Sequence, residues 1–298
     1  MSWIQIKIQT HRDQTEQIEN LLTELGSPAI LLLDAGDQPL LEPPPGATPL
    51  WDSVWVLGLF SADSDVDALL EFLDHQLAEQ ITSLQAEVLE DKDWERAWMD
   101  HYHPMAFGRR LWVVPSWTPP PCPDAVNLLL DPGLAFGTGT HATTSLCLHW
   151  LDSLDLQNSM VMDYGCGSGI LAIAALLLGA KQAVAVDNDP QALLSTQENA
   201  RRNGVLDRLF VYLPEDVPEQ YQGHCDVVVA NILAKPLIHL APRLCHYLKS
   251  SGCLALSGLI RSQIDDVTRA YESWVEFGHP EFRDEDWCRL QGVRRVAS

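Results

Sequence analysis

Apolar and polar residues alternate in WIQIKIQT (Trp3–Thr10), the period of two expected of a strand with one buried face. The period then lengthens. Between Asp13 and Leu25, residues Ile18, Leu21, Leu22 and Leu25 fall on one side of a helix that Gly26 ends. AILLLD (29–34) predicts a second strand, the proline-rich LLEPPPGATPLW (40–51) a loop, and Ser53 to Phe60 a third strand. Ser64-Asp65 caps a second helix with Val66, Leu69, Leu70, Leu73 and Leu77 on one face, and LQAEVLE (84–90) is a fourth strand. The order β-α-β-β-α-β predicts a small ferredoxin-like α+β domain over residues 1–90.

KDWERAWMDHYHP (92–104) predicts a helix ending near Pro104, LWVVPSW (111–117) a strand, and TPPPCPDA (118–125) a proline-rich connection. Residues 91–125 are therefore expected to join two domains. Beyond them apolar strands alternate with helices. AVNLLLD, Met160–Tyr164, AVAVD (183–187), LFVYL (209–213), DVVVAN (226–231) and CLALSG (253–258) are the strands, and helices begin near Thr143, after Gly169 and near Pro190. That alternation predicts a doubly wound, mostly parallel Rossmann-like α/β domain over residues 126–298.

Such a sheet binds ligands at the carboxyl ends of its strands. Strand VMDY runs into Gly165-Cys-Gly167-Ser-Gly169 and then a helix. A dinucleotide fingerprint reads G-x-G-x-x-G, and this turn reads G-x-G-x-G, so its backbone approaches a ligand without cradling a pyrophosphate. Asp187 follows Gly165 by 22 residues, at the end of the next strand. A carboxylate there accepts hydrogen bonds from ribose hydroxyls, in NAD-type and S-adenosylmethionine (AdoMet) enzymes alike. The competing role for Asp187 is to cap the helix near Pro190, which Asp189 can also do. Asn231, at the end of a further strand, can hydrogen-bond both cofactor and acceptor. Spaced glycines, an acid and then an asparagine together favour AdoMet over a nicotinamide.

Composition narrows the setting. The 298 residues carry a formal charge of −22, of which residues 1–100 hold −16. A front this acidic repels phosphate backbones and attracts a basic partner, although acidity alone also keeps proteins soluble. Direct nucleic-acid binding is not expected. The longest apolar run, Ile170 to Ala180, is too short to span a bilayer, so no membrane association is expected. Seven cysteines without a C-x-x-C pair suggest reduced thiols in the cytoplasm and no zinc site. Cys166 has no base beside it, and His101 and His103 lie in an aromatic segment expected to be structural.

DPGLAFGTGTHATT (131–144), VMDYGCGSGILAIAALLLGA (161–180), AVDNDPQA (185–192), ANILAKPL (230–237) and the joining segment KDWERAWMDHYHPMAFGRRLWVVPSW resemble the bacterial methyltransferases of ribosomal protein L11. Ala142 stands where that family often has proline. The resemblance implies a front domain that recognises the acceptor, a linker, and an AdoMet-dependent class I methyltransferase domain. By motif it places Thr144, Gly165, Asp187 and Asn231 against the cofactor. Gly137, Thr138 and Gly139 form a loop able to close over it, in which Phe136 either packs on the cofactor or anchors the loop, and Asp216, after strand LFVYL, is a candidate for the adenine amino group. Thr144 has a competing role as a helix cap, as do Thr140 and Thr143. The implied activity is methylation of lysine side chains and the N-terminal amine of a basic ribosomal protein, by a monomer, with no metal and no dedicated catalytic base. The rival expectations are another basic protein or a small molecule as acceptor, and a non-catalytic AdoMet-binding protein.

Overall fold

The computed structural model describes residues 3–38, 40, 47–89, 102–131, 141–284 and 286–296. The chain divides into two compact units, Met1–Met99 and Asp100–Ser298. In the first, β1 (Trp3–His11), α1 (Thr15–Glu24), β2 (Ile30–Asp34), β3 (Ser53–Ser61), α2 (Val66–Leu77) and β4 (Ile81–Leu89) follow the predicted order. The sheet runs β2-β3-β1-β4, with antiparallel pairs throughout. Ile4, Ile6 and Ile8 alternate inward and share a core with Ile18, Leu22, Leu73 and Leu77 of the helices, so the period of two on β1 meets the longer period of α1 and α2. Of the two residues proposed to cap α2, Asp65 does so, accepting from the Ala68 amide at 3.1 Å. This is the ferredoxin-like arrangement.

The helix expected at 92–104 lies almost wholly outside the described residues. From Met105 onward the chain belongs to the second unit. β5 (Met105–Phe107), β6 (Leu111–Val114) and β7 (Val126–Leu129) form a separate three-stranded sheet. AVNLLLD is thus a strand as expected, but it pairs in parallel with β6 and not with the large sheet. The β5–β6 turn is held to the helix α3 (Ala142–Ser153) by one buried carboxylate. Asp152 accepts from the Arg109 amide at 2.6 Å and the Arg110 amide at 3.2 Å. Gly108, at φ +78°, leaves the room that carboxylate needs.

The large sheet comprises β8 (Met160–Tyr164), β9 (Gln182–Val186), β10 (Leu209–Tyr212), β11 (Cys225–Asn231), β12 (Leu248–Ile260), β13 (Val275–Phe277), β14 (Glu281–Arg283) and β15 (Trp287–Arg294). Its order is β10-β9-β8-β11-β12-β15-β13, with β14 on β15. Strands β8 to β12 pair in parallel, and β15 runs against β12. Four more helices connect them: α4 (Ile170–Leu177), α5 (Pro190–Arg202), α6 (Ala234–Tyr247) and α7 (Ile264–Tyr271). One face packs on α3 and α4, the other on α6 and α7. Seven of the eight residues of α4 are buried, which is why its sequence is apolar all round. β8 is central: the chain leaves it toward β9 and β10 on one side and returns to β11 on the other. That reversal opens a crevice at the strand ends.

The final antiparallel strands were not anticipated. β13 and β14 are three residues each, and β15 hides its period behind a buried arginine. Arg289 donates to the Leu146 carbonyl at 2.6 Å, reaches Glu281 at 2.9 Å and lies over the Trp150 ring. Among the described residues no helix is long and apolar enough to cross a membrane. Replacing Asp152 by alanine strands two backbone amides that it now satisfies. Asp152→Ala is expected to lower the unfolding free energy by about 2–3 kcal/mol in urea titration.

Candidate functional site

β8 ends at Tyr164, and the next five residues turn the chain into α4 with Gly165, Gly167 and Gly169 at φ +82°, +53° and +78°. Side chains rarely adopt such angles, and at Gly165 and Gly169 space forbids them too. A Cβ on Gly165 would overlap the Ile232 side chain, and one on Gly169 would lie 2.7 Å from Thr196 Cγ2. The Gly165 and Cys166 amides both donate to the Val186 carbonyl, at 2.7 and 3.1 Å, which binds the turn to the end of β9.

Asp187 completes that bond set. One carboxylate oxygen accepts from the Gly167 amide at 2.9 Å, the other from the Asp189 amide at 3.0 Å. Asp189, in turn, caps α5 by accepting from the Gln191 amide at 2.9 Å, with Pro190 at the first helical position. The capping role therefore falls to Asp189. Each Asp187 oxygen has lone-pair capacity left over, and the residue lines a cavity.

That cavity, of about 700 Å³, opens at the carboxyl ends of β8, β9, β11 and β12. Thr144, Gly165, Asp187 and Asn231 all line it, so the fold gathers the four predicted site residues around one space. Thr144 lies in the first turn of α3, buried, and its hydroxyl accepts from Asn231 Nδ2 at 3.1 Å. The cap of α3 is neither Thr143 nor Thr144 but His141, whose Nδ1 accepts from the Thr143 amide at 3.3 Å. Its ring stands edge-on to Trp287 at 4.8 Å, and both rings line the cavity. Thr140, with Phe136, Gly137, Thr138 and Gly139, lies outside the described residues. So does His101, whereas His103 is exposed.

Other candidates sort themselves by environment. Cys166 is buried, its sulfur 3.4 Å from the Thr196 hydroxyl, and burial pushes the thiol far above its ordinary range. It is no nucleophile at neutral pH. Among the described residues no three His, Cys, Asp or Glu side chains cluster to hold a metal. After β10 it is Pro214, not Asp216, that lines the cavity. Two wall residues carried no signal in the sequence. Arg243 of α6 donates to the Tyr164 hydroxyl at 3.1 Å, a bond that strengthens its hold on the proton. Trp287 enters from β15, whose pattern is obscured.

Beneath the turn sits Asp163, fully buried. One oxygen accepts from the Ala172 amide at 3.0 Å, and the other has no partner among the described residues. Burial pushes its pKa up to about 7, Asp187 adds to the rise, and the Ala172 amide works against it.

The sequence profile of the family described as ribosomal protein L11 methyltransferase (PrmA) matches residues 2–295. The chain belongs to this family. It is similar to the ribosomal protein L11 methyltransferase of Marinobacter nauticus, 53% identical over 300 residues that cover 99% of each chain. That of Actinobacillus pleuropneumoniae serotype 5b is 51% identical over 99% of this chain and 100% of its own. A solved structure of ribosomal protein L11 methylase from Lactobacillus delbrueckii subsp. bulgaricus superposes with a TM-score of 0.57 at 33% identity, covering 65% of this chain and 99% of that one. The cofactor of this family is S-adenosyl-L-methionine. The cavity fits it: a glycine-rich turn, a carboxylate with spare lone pairs and an amide line one space.

Asp163 gives this site a pH signature. Its folded pKa is raised above the unfolded value, so the neutral form favours the native state. That contribution is complete below about pH 4 and is lost as pH rises to about 7. Asp163→Asn removes it. The stability of the wild type relative to Asp163→Asn is expected to fall between those limits by on the order of 4 kcal/mol, then level off, in denaturant titrations at each pH.

Proposed function

We propose that this chain moves methyl groups from S-adenosyl-L-methionine to amines of ribosomal protein L11, on lysine side chains and the N-terminal amine. The carrying observation is the Asn231–Thr144 hydrogen bond at the rim of a cavity that also holds Asp187 and the glycine turn. Because Asn231 Nδ2 is committed to Thr144, its Oδ1 is the end left to accept an N–H from an incoming amine. In this reading Gly165 lets the backbone lie against the cofactor, Asp187 takes the ribose hydroxyls, and Thr144 and Asn231 stand at the methionine end.

When bound, the cofactor supplies a methyl on a sulfonium, a leaving group already activated without a metal. The protein's task is the amine. A free lysine has a pKa near 10.4, so presenting it neutral at pH 7 costs roughly 4–5 kcal/mol. The apolar wall formed by Ile232, Leu233, Pro236 and Leu240 dries the approach, and desolvation lowers an amine's pKa. Asn231 then orients the nitrogen lone pair, and the amine proton leaves to solvent. No dedicated base is required, and much of the rate comes from placement.

Residues 1–90 are proposed to recognise the acceptor, 91–125 to join the domains, and 126–298 to carry the transfer. The charge of −16 on residues 1–100 supports a basic partner, whose encounter it would speed by electrostatic steering. The same charge speaks against a nucleic-acid partner. A monomer in the cytoplasm completes the proposal.

The test is transfer of labelled methyl from AdoMet to purified, unmethylated L11, resolved by mass spectrometry. Mass steps of one methyl on lysines or the N-terminal amine are expected, and no transfer despite tight AdoMet binding would refute the acceptor. Asn231→Ala is expected to cut turnover on the order of 100-fold, and unchanged turnover would remove Asn231 from the mechanism. Asp187→Ala is expected to weaken AdoMet binding about 10- to 100-fold by calorimetry, the worth of a hydrogen bond to a charged group.

A further inference from the structure

β12 breaks its regular pairing at one residue. Ser257 pairs with Arg289 of β15 and Leu259 with Cys288, so Gly258 is an extra residue with no opposite number, a β-bulge. On the other side, the ladder between β11 and β12 ends at Asn231 and Ser257. The bulge therefore begins one residue past the last paired residue, and Gly258 lines the cavity there.

Gly258 has φ +87°, an angle that favours glycine. A Cβ on it would overlap the Ile232 carbonyl oxygen, and would stand 2.8 Å from the carbonyl carbon and 3.0 Å from the amide nitrogen of the same residue. All three are backbone atoms, so no rotamer change relieves the crowding. From the opposite side, Gly165 closes on the Ile232 side chain. Ile232 thus sits between two glycines with positive φ, immediately after Asn231. The bulge is itself anchored: the Ser257 hydroxyl lies 3.2 Å from the Thr143 carbonyl in the turn that carries Thr144, and 3.2 Å from the Cys288 carbonyl.

We propose that Gly258 is a positioning residue for methyl transfer, whose bulge lets β12 close on the Ile232 peptide and so fixes Asn231 at the acceptor end of the cavity. The proposal rests on the amine-transfer reading above. Asn231 is held twice, by its side chain to Thr144 and by its neighbour's backbone against Gly258. A side chain at 258 pushes on the second restraint and moves the first. The Asp187 contact for the ribose is held by the Gly167 and Asp189 amides, away from Ile232, and stays in place, so the cofactor gives up contact only at its methionine end. The expected signature is a loss of rate without a matching loss of cofactor affinity.

The experiment compares the full-length wild type with Gly258→Ala and Gly258→Asn, with melting temperature recorded for each. Asparagine tolerates positive φ better than alanine but carries the same Cβ, so it separates backbone strain from contact with Ile232 and keeps a foldable variant available. In single-turnover transfer to unmethylated L11, both variants are expected to be slower by at least about 30-fold, with AdoMet Kd and KM for L11 within about 3-fold of wild type. An unchanged rate, near-complete recovery in Gly258→Asn alone, or a parallel loss of rate and AdoMet affinity would each overturn the proposal. A crystal structure of either variant reads the same idea without an acceptor. A displaced Ile232 peptide and a broken Asn231–Thr144 bond are expected, and unchanged geometry counts against it. A wild type that binds AdoMet yet leaves L11 unmethylated strikes the acceptor reading instead, and the crystal structure still decides the role of Gly258.

Discussion

The Asp187 carboxylate, held between the amides of Gly167 and Asp189, is the bond set on which the site depends. β8 must release its chain at the one place where the sheet's connections diverge, and must do so without filling the crevice that divergence creates. Three positive-φ glycines in five residues satisfy the second demand at the cost of a turn with little intrinsic stiffness. Asp187 restores stiffness from the next strand, together with the two amides on the Val186 carbonyl. Cofactor pocket, helix start and strand order are consequences of one another here.

Rigidity continues outward from that point through unlike contacts. Thr144 and Asn231 join α3 to β11 by a single side-chain bond, His141 and Trp287 join α3 to β15 by an aromatic edge, and Asp152 joins α3 to the small sheet. α3 is the common member. Its first turn faces the cavity and its last turn carries Asp152, so one helix transmits position between parts of the second unit that are remote in sequence. The buried Arg289, bonded to the Leu146 carbonyl, fixes the same helix from below.

Much of this was legible in the residues. In the front unit β1 alternates visibly because it has one wet face and one dry one, whereas ILLLD and VWVLGLF read as apolar runs bounded by turn and capping residues. The central strands were legible for the opposite reason: buried on both faces, AVAV and VVVA read as continuous apolar runs ended by Asp187 and Asn231. The glycine spacing, Asp187 and Asn231 marked the crevice because the chemistry there needs those residue types. The C-terminal strands were not legible. EFR and VEF are too short to show a period, and Arg289 in β15 is buried by partners that no local pattern reveals. His141 was passed over for the same reason. Its capping bond is local, but its ring partner, Trp287, lies almost 150 residues away, and Arg243 meets Tyr164 only once α6 is packed on the sheet.

The cysteines give the molecule a set of internal clocks. Five of them, Cys147, Cys166, Cys225, Cys245 and Cys288, are free and buried, whereas Cys122 is exposed. Burial holds the thiols of Cys147, Cys225 and Cys245 near 12 and that of Cys288 near 11, so none reacts as thiolate in the closed molecule. An alkylating reagent consequently reaches each only when its own neighbourhood opens. Cys166 is seated in the glycine turn and Cys288 pairs with Leu259 beside the bulge on β12, so their labelling times measure separately how often the turn and the bulge open.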